Sequence, residues 1–225
     1  MKRYSRMFRP AVLLTCAAVL AGCATTTASK EEWDGLVRQR NTRLDAVFVR
    51  PDAEITAYRN VLLDPVEVRF ARNWQPNRGG RSGLNRLDAG DLAAIQSSLA
   101  ELFRETVRAE LARGGYQLVD TAGPDTLRVT AAIVDLYISA PDTMSAGRSR
   151  TYTANSGRMT LVAELRDSTT GEILARAVDG QSGRGTGTWT VSNRVTNTAD
   201  ARRAIGIWAT ALRRALDDMY GRASK

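Results

Sequence analysis

The sequence predicts an α+β fold in which two long helices pack on one face of a mainly antiparallel sheet. Three observations predict it: a 3.6-residue apolar period over residues 91–113, a second over 199–221, and alternating apolar residues in the segments between them. The resulting order is strand, helix, several strands and a terminal helix, which is typical of an α+β sandwich.

Two strands are predicted before the first helix. Residues 46–50 and 61–70 are apolar and β-branched, and Pro65 interrupts the second segment. Because proline donates no ladder hydrogen bond, we expect a bulge or an edge position there. Residues 72–87 are predicted to form a loop.

The helix predicted over residues 91–113 has the clearest pattern. Asp88 or Asp91 is expected to cap it, and Gly114 with Gly115 is expected to end it. Its core stripe consists of Leu92, Ile95, Leu99, Leu102 and Phe103.

The middle of the chain predicts a short strand, a long strand and a hairpin. The short strand covers residues 116–120 and the long one 126–139, where the apolar parity changes near Ile133. Either two buried faces or a bulge would explain that change. After a loop over 140–156, residues 158–166 alternate in polarity, a turn ends at Gly171 and residues 173–179 return, which predicts a hairpin with one buried face.

The last helix is expected over residues 199–221. Thr198 is its predicted cap, and Asp200 is expected in its first turn. Its core stripe consists of Ile205, Trp208, Leu212, Leu216 and Met219.

The N-terminus predicts a secretion signal. Four cations precede an apolar run over residues 11–20, and a run of about ten residues is too short to span a ~30 Å hydrocarbon core. Leu20-Ala21-Gly22-Cys23 places the cysteine where a lipoprotein signal is cut; the alternative is a cleavable signal with an incidental cysteine. We expect a signal peptide over 1–22, a lipidated Cys23 with a flexible tether over 23–30, and a single α+β domain over 31–225.

The residue after Cys23 bears on the destination of the chain. In the bacterial lipoproteins that this segment resembles, Asp at that position is a common inner-membrane retention signal, and here Ala24 occupies it. We therefore expect an exported protein, lipid-anchored to the outer membrane and facing the periplasm. Two or more acyl chains would anchor it stably.

The charge of the mature chain is modest. Cleavage would remove Lys2, Arg3, Arg6 and Arg9, so the formal charge falls from +8 to +4. An Arg-rich, mildly basic surface suits anionic headgroups or cell-wall polymers, and it lies below the charge density of nucleic-acid-binding proteins. The predicted partners are the membrane, through the anchor, and an envelope protein or a cell-wall polymer, with no nucleic acid.

The cysteines and histidines narrow the possible chemistry. Cys16 would be lost with the signal and Cys23 used by lipid, which leaves no thiol for a disulfide. The chain contains no histidine, which excludes Ser-His-Asp and Cys-His nucleophile pairs and His-based zinc sites. No cofactor, no metal site and no catalytic residue is predicted.

The sequence contains two weak enzymatic patterns. Four carboxylates lie on predicted strands and could in principle pair in a hydrolase, although turn and outward positions account for them. They are Asp64, Glu67, Asp135 and Asp167. Residues 79–83 resemble a phosphate loop but lack its Gly-Lys-Ser/Thr ending.

Arginines and aromatic residues in the loops are the better candidates for binding. The connections over 140–156 and 181–198 are expected at one end of the sheet, and the loop over 71–87 at the other. The first two could bind a carbohydrate or an anionic polymer, or could simply be solvated, with Trp189 packed over the sheet edge. They carry Arg148, Arg150, Tyr152, Asn155, Arg184, Trp189, Asn193 and Arg194.

Two further residues are predicted as contacts. Trp74, flanked by Arg72 and Arg78, is expected at the other end of the sheet, where it could likewise either contact a ligand or partner or simply pack on the fold. Ile207 is expected on the outer face of the last helix, where it could contact a protein partner, because exposed Trp, Arg and apolar residues concentrate binding energy.

The sequence also carries a family resemblance over roughly residues 31–220. The segments 49–53 and 58–68, Asn73-Trp74, the hairpin over 165–176 and the pattern over 208–217 resemble the DUF3313 bacterial lipoproteins. The resemblance implies an exported, lipid-anchored, single-domain α+β protein and supplies no catalytic motif.

The element order also resembles periplasmic lipoproteins that act as assembly accessories. The predicted function is therefore a non-enzymatic binding or assembly accessory of the cell envelope. The alternatives are a peptidoglycan- or other glycan-binding module and, more weakly, a carboxylate-dependent hydrolase.

Overall fold

The computed structural model describes residues 32–40, 42–76, 87–138, 151–153, 157–182, 190–192 and 194–221. Within them lie two helices, α1 (Ala89–Arg113) and α2 (Arg194–Met219). The strands are β1 (Glu32–Trp33), β2 (Leu36–Gln39), β3 (Ala46–Val49), β4 (Asn60–Leu63), β5 (Glu67–Phe70), β6 (Gln117–Val119), β7 (Thr126–Ile138), β8 (Thr151–Thr153), β9 (Gly157–Asp167), β10 (Ile173–Ser182) and β11 (Thr190–Ser192). The predicted α+β class and element order are confirmed.

Nine of these strands form one mixed sheet. The order β1-β2-β3-β10-β9-β7 is antiparallel throughout, whereas β4 and β5 pair with β7 in parallel and β6 pairs with β4 in parallel. β8 and β11 form a separate antiparallel pair. β4 and β5 lie end to end along β7, and Pro65 lies between them. They correspond to the single strand predicted over 61–70, which Pro65 was expected to interrupt.

A bulge in β7 explains the change in apolar parity. The register with β9 shifts between Val134 and Tyr137, and Asp135 between them adopts a positive φ of 51°. A bulge leaves an unpaired residue in one strand, so the residues after it face the other way. The bulge alternative is therefore confirmed.

Both helices share one hydrophobic cluster with one face of the sheet. Leu99, Phe103, Val107 and Leu111 of α1 meet Ile205, Trp208, Ala209 and Leu216 of α2 and the inward residues of the strands in that cluster. α1 begins with a capping box in which Asp88 and Asp91 each accept a hydrogen bond from the other's backbone N–H. Gly114 ends the helix, as predicted.

The start of α2 differs from the prediction. The helix begins at Arg194, so Thr198 lies inside it and is not its cap, and Asp200 lies in the second turn. Residues 194–198 contain Val195 as their single apolar residue and so show no apolar stripe, and the periodic pattern begins further along the helix. Asp200 instead pairs with Arg203 at 3.1 Å.

The segment after the predicted tether packs on the sheet. Asp34 and Gly35 both adopt positive φ in the two-residue turn between β1 and β2, which is the conformation of a tight hairpin. Leu36 is completely buried, and Trp33 lies over the Arg176 guanidinium at 4.0 Å. Residues 32–39 therefore form part of the sheet.

The loop after β5 was assigned to the wrong end of the sheet. β5 runs parallel to β7, so the chain leaves Phe70 at the same end at which it leaves Ile138. The Trp74 indole N–H donates to the Ile138 carbonyl at 3.0 Å. The first residues of the 71–87 connection therefore lie at the same end as the ends of β7 and β10.

No helix in the described part of the chain is both long and apolar enough to cross a membrane.

Candidate functional site: a basic groove between the helices

A groove of 460 Å³ lies between the second half of α1 and the middle of α2. Its walls are small and apolar residues bordered by cations, and we call it the basic groove. It is lined by Arg43, Thr106, Glu110, Arg113, Arg203, Gly206, Ile207, Ala209, Thr210, Ala211 and Arg214.

The helices that form the groove are held in register by a polar network. Arg213 donates to Glu110 at 2.9 Å and pairs with Asp217, and Asp217 accepts from the Tyr116 hydroxyl at 2.8 Å. The hydrogen bond that Arg213 donates to Glu110 is the main reason that the pKa of the Arg213 guanidinium is raised above its ordinary value. Since Glu110 lies on α1 and Arg213 on α2, these bonds fix the groove as a rigid surface.

The α2 wall of the groove presents an exposed isoleucine among arginines. Arg203, Ile207, Thr210 and Arg214 follow one another at helical spacing, so they share one stripe of α2. Ile207 is 40 % exposed, and it is one of two large apolar residues noted as exposed in the described part of the chain. The predicted outward position of Ile207 is confirmed.

The groove carries excess positive charge. It contains four arginines and one carboxylate, Glu110, which already pairs with Arg113 at 2.5 Å as well as with Arg213. Arg203 pairs with Asp200. Among the described residues, Arg43 and Arg214 have no carboxylate partner.

Arg214 also has a buried donor without an acceptor. Its Nε is shielded from solvent and meets no hydrogen-bond partner in the structure, the single such side-chain atom noted within the described ranges. An unsatisfied buried donor costs about 1–3 kcal/mol, and more when the group is charged. Because four arginines and one carboxylate line it around Ile207, the groove is chemically suited to carboxylate or other anionic oxygens placed beside an apolar group.

A second concavity, of 590 Å³, has the opposite charge. It lies between the residues that follow β3 and the turn that joins β9 to β10, and we call it the acidic depression. Arg50 pairs with Glu172 at 3.0 Å, which leaves Asp52 and Glu54 exposed and, within the described residues, without a cation. Its lining consists of Gly35, Arg50, Pro51, Asp52, Ala53, Glu54, Ala57, Tyr58, Pro124, Glu172 and Leu174.

Tyr58 links the depression to the rest of the fold. Its hydroxyl donates to Asp167 at 2.8 Å, and its carbonyl accepts from the Tyr220 hydroxyl just beyond the end of α2. Burial, followed by the Asp167 hydrogen bond, raises the pKa of Tyr58 to about 12. A phenol held neutral in this way acts as a structural donor.

Trp74 lies in the core rather than on an open surface. It is 9 % exposed, stacks on Phe70 with ring centroids 4.3 Å apart, and uses its indole N–H internally. This placement favours a packing role over the predicted contact role.

The pairing of β8 with β11 joins the two arginine-rich connections. Tyr152 and Val191 are register partners, so residues 151–153 of one connection lie beside residues 190–192 of the other, as predicted. Arg194 is the first residue of α2. Cys23 lies outside the described residues. So do the other loop candidates, Arg148, Arg150, Asn155, Arg184, Trp189 and Asn193.

Three of the four strand carboxylates have local partners, and the fourth, Asp135, lies far from Asp167. Asp64 binds Arg128 at 2.8 Å, Glu67 binds Arg69 at 3.0 Å, and Asp167 accepts from the backbone N–H groups of its own turn. Asp167 lies opposite Leu127, eight residues along β7 from Asp135, which is about 26 Å at 3.3 Å per residue. That separation exceeds the roughly 5–10 Å that a glycosidase pair needs.

Arg43 and Arg214 are the site residues that sequence reasoning missed. The spacing of Arg203, Ile207 and Arg214 on one helix stripe was a usable signal for the α2 wall. Arg43 comes from the connection before β3, about 160 residues earlier, and no local pattern links it to α2.

Comparison with known proteins gives a family and distant structural likenesses. The model of a family described as a protein of unknown function, DUF3313, matches residues 26–212. No curated protein matches the sequence.

Two solved structures illustrate the structural likenesses. A minor lipoprotein from Acinetobacter baumannii is 11 % identical, with 72 % of this chain and 94 % of that chain covered and a TM-score of 0.36. A PelC dodecamer from Paraburkholderia phytofirmans is 13 % identical, with 70 % and 89 % covered and a TM-score of 0.35. Likenesses this distant carry nothing about ligand, partner or assembly.

Proposed function

The chain belongs to the DUF3313 family, and we propose that it is a lipid-anchored envelope protein that docks a protein partner in the basic groove. In this proposal it is a non-enzymatic binding or assembly accessory. The observation that carries the proposal is the exposed Ile207 set among arginines on a rigid two-helix surface.

The anchor rests on the sequence. The signal over 1–22, the lipidated Cys23 and the tether over 23–30 lie outside the described residues and stay predictions, as does the outer membrane as destination. Growth with a radiolabelled fatty acid tests the anchor: the wild-type chain should carry label, and a Cys23→Ala variant should carry none. Label retained by that variant would contradict it.

The groove has the composition of a protein-contact surface. Arginine and large apolar residues dominate binding energy at interfaces, where a small central cluster contributes most. The polar network around Arg213 holds the surface in place before binding, so little ordering is needed when a partner arrives.

Crosslinking in intact cells tests the proposal. The full-length chain, carrying a C-terminal tag, is crosslinked and purified, and the attached proteins are identified by mass spectrometry. We expect a stoichiometric protein that is lost in an Ile207→Asp variant, because a carboxylate replaces the apolar contact at the centre of the stripe.

A matched control uses an exposed alanine on α1 outside the groove. Ala94→Asp introduces the same carboxylate, and it should leave the complex intact. Both variants should keep the thermal stability of the wild type to within about 0.5–1 kcal/mol, because both sites are exposed. An unchanged complex in Ile207→Asp would overturn the groove as the docking surface.

A glycan-binding module is the second candidate, favoured by the pairing of β8 with β11. That pairing brings the two arginine-rich connections together, which a polymer-binding surface would require. Cosedimentation with purified peptidoglycan should then fall in Arg150→Ala and Trp189→Ala variants. If the intact protein does not sediment with peptidoglycan, that alternative is removed.

A further inference from the structure

Two concave surfaces of opposite sign each carry charged side chains without an ion-pair partner among the described residues. Arg43 and Arg214 border the basic groove without a carboxylate partner among the described residues, and Asp52 and Glu54 border the acidic depression without a cation there. The groove therefore has arginines that lack carboxylate partners, and the depression has carboxylates that lack cations. Complementary charges of this kind determine which surfaces meet and in which register.

One molecule cannot bring its own two surfaces together. The depression lies at the C-terminal end of α2, where the Tyr220 hydroxyl binds the Tyr58 carbonyl, whereas the groove lies around Ile207. Thirteen helical residues separate Ile207 from Tyr220, which is about 20 Å at 1.5 Å per residue. A second copy of the chain offers, for each surface, a partner surface of the opposite sign.

The two surfaces also complement each other in their apolar parts. The groove offers Ile207, which is 40 % exposed, between its arginines. The depression offers exposed Ala57 close to its free carboxylates. An apolar contact surrounded by charge pairs is the usual arrangement of a specific interface.

We propose that the basic groove of one copy binds the acidic depression of the next. This inference rests on the proposed function, since it takes the groove to be a protein-binding surface and names a second copy of the chain as its occupant. Because different surfaces meet, the contact is head-to-tail and repeats, so the copies form a ring if the rotation closes and a filament if it does not.

Disulfide trapping in intact cells tests the contact on the full-length chain. Ile207→Cys and Ala57→Cys are introduced into a chain whose native cysteines are Cys16 and Cys23. A chain with both substitutions should give a ladder of disulfide-linked oligomers on a non-reducing gel after mild oxidation, because a disulfide needs Cα atoms within about 7 Å. Each single substitution should give no ladder, since a head-to-tail contact places position 57 against 207.

Charge reversal provides a second test. Arg43→Glu with Arg214→Glu should abolish the ladder, and so should Asp52→Lys with Glu54→Lys. All four reversals in one chain should restore it, because both surfaces have then exchanged sign. A thermal melt of each variant distinguishes loss of contact from loss of folding, and Ala94→Cys with Ala57→Cys should give no ladder.

Several outcomes would overturn the inference. Dimers from Ile207→Cys alone would mean that two grooves face each other, and ladders that survive the paired reversals would mean that charge does not direct the contact. If no ladder forms but crosslinking recovers a different envelope protein that is lost in Ile207→Asp, self-assembly is refuted while the proposed function stands. If no ladder forms and crosslinking recovers no protein, both fail.

Discussion

Replacing Asp179 should destabilise the fold because this carboxylate connects three elements. It is 2 % exposed and accepts from the Trp208 indole N–H at 2.7 Å, the Gln181 amide at 2.7 Å and the Asp45 backbone N–H at 3.0 Å. It therefore joins β10 to α2 and to the connection before β3.

The cost of Asp179→Ala follows from which donors water can reach afterwards. Asp45 is exposed and Gln181 half-buried, so both donors can turn to solvent. Trp208 is 3 % exposed, so its indole N–H would be left without an acceptor. An orphaned buried donor costs about 1–3 kcal/mol, and we expect a loss of about 2 kcal/mol in the free energy of unfolding.

A double-mutant cycle isolates the hydrogen bond. Once Trp208→Phe has removed the donor, Asp179→Ala should cost about 1–2 kcal/mol less than it does in the wild type. Urea unfolding followed by circular dichroism measures each free energy from the midpoint and slope. Additive losses, or an Asp179→Ala cost below about 0.5 kcal/mol, would refute the role assigned to the carboxylate.

Two further predictions test local features of the fold. Because the pKa of Tyr58 is raised to about 12 from an unfolded value of 10.0, its contribution to stability is complete below pH 10 and is lost as the pH rises towards 12. The urea midpoint should therefore fall more steeply between pH 10 and 12 in the wild type than in Tyr58→Phe; equal slopes would contradict the shift. Gly157→Ala should cost more than Gly171→Ala, since both glycines have positive φ but a Cβ at 157 would lie 2.4 Å from a backbone oxygen of β7. Thermal melts should rank them so, with about 1–2 kcal/mol lost at 171 from strain alone.

The parts of the fold that sequence predicted are those where local pattern and burial coincide. In α1, Leu99 and Phe103 lie on the predicted stripe and are buried, and Asp88 caps the helix as its side chain predicts. In the β9–β10 hairpin, alternation alone identified the face that meets the helices. These elements needed no knowledge of distant partners.

The errors arose where distant pairing decides the structure. The loop after β5 was misplaced because local sequence does not show that β5 runs parallel to β7, which lies some sixty residues later. Trp74 was predicted as a contact because two arginines flank it in sequence, whereas its N–H meets the end of β7 and its ring stacks on Phe70. Of the residues that line the groove, Ile207 is the one predicted as a contact. The groove itself was not predicted, because its walls come from three separate segments.

Some arginines of this chain are paired with carboxylates of the fold, whereas others have no such partner among the described residues. Arg176 is 8 % exposed and bonds Glu164 at 2.8 Å and Asp34 at 3.0 Å, and Arg213 bonds Glu110 and Asp217. Each is satisfied by two carboxylates of the fold. Arg214 has a buried Nε and no acceptor, so the fold gains nothing from its charge.

That difference predicts opposite effects of the same substitution at neighbouring positions. Arg213→Met should lower the melting temperature, because it leaves buried Asp217 without its cation and Glu110 with Arg113 alone. Arg214→Met removes an unsatisfied donor and keeps the apolar stem, so the melting temperature should be unchanged or higher, while the oligomer ladder weakens. If Arg214→Met lowers the melting temperature as Arg213→Met does, Arg214 stabilises the fold, and its assignment as a binding residue for a partner's carboxylate is wrong.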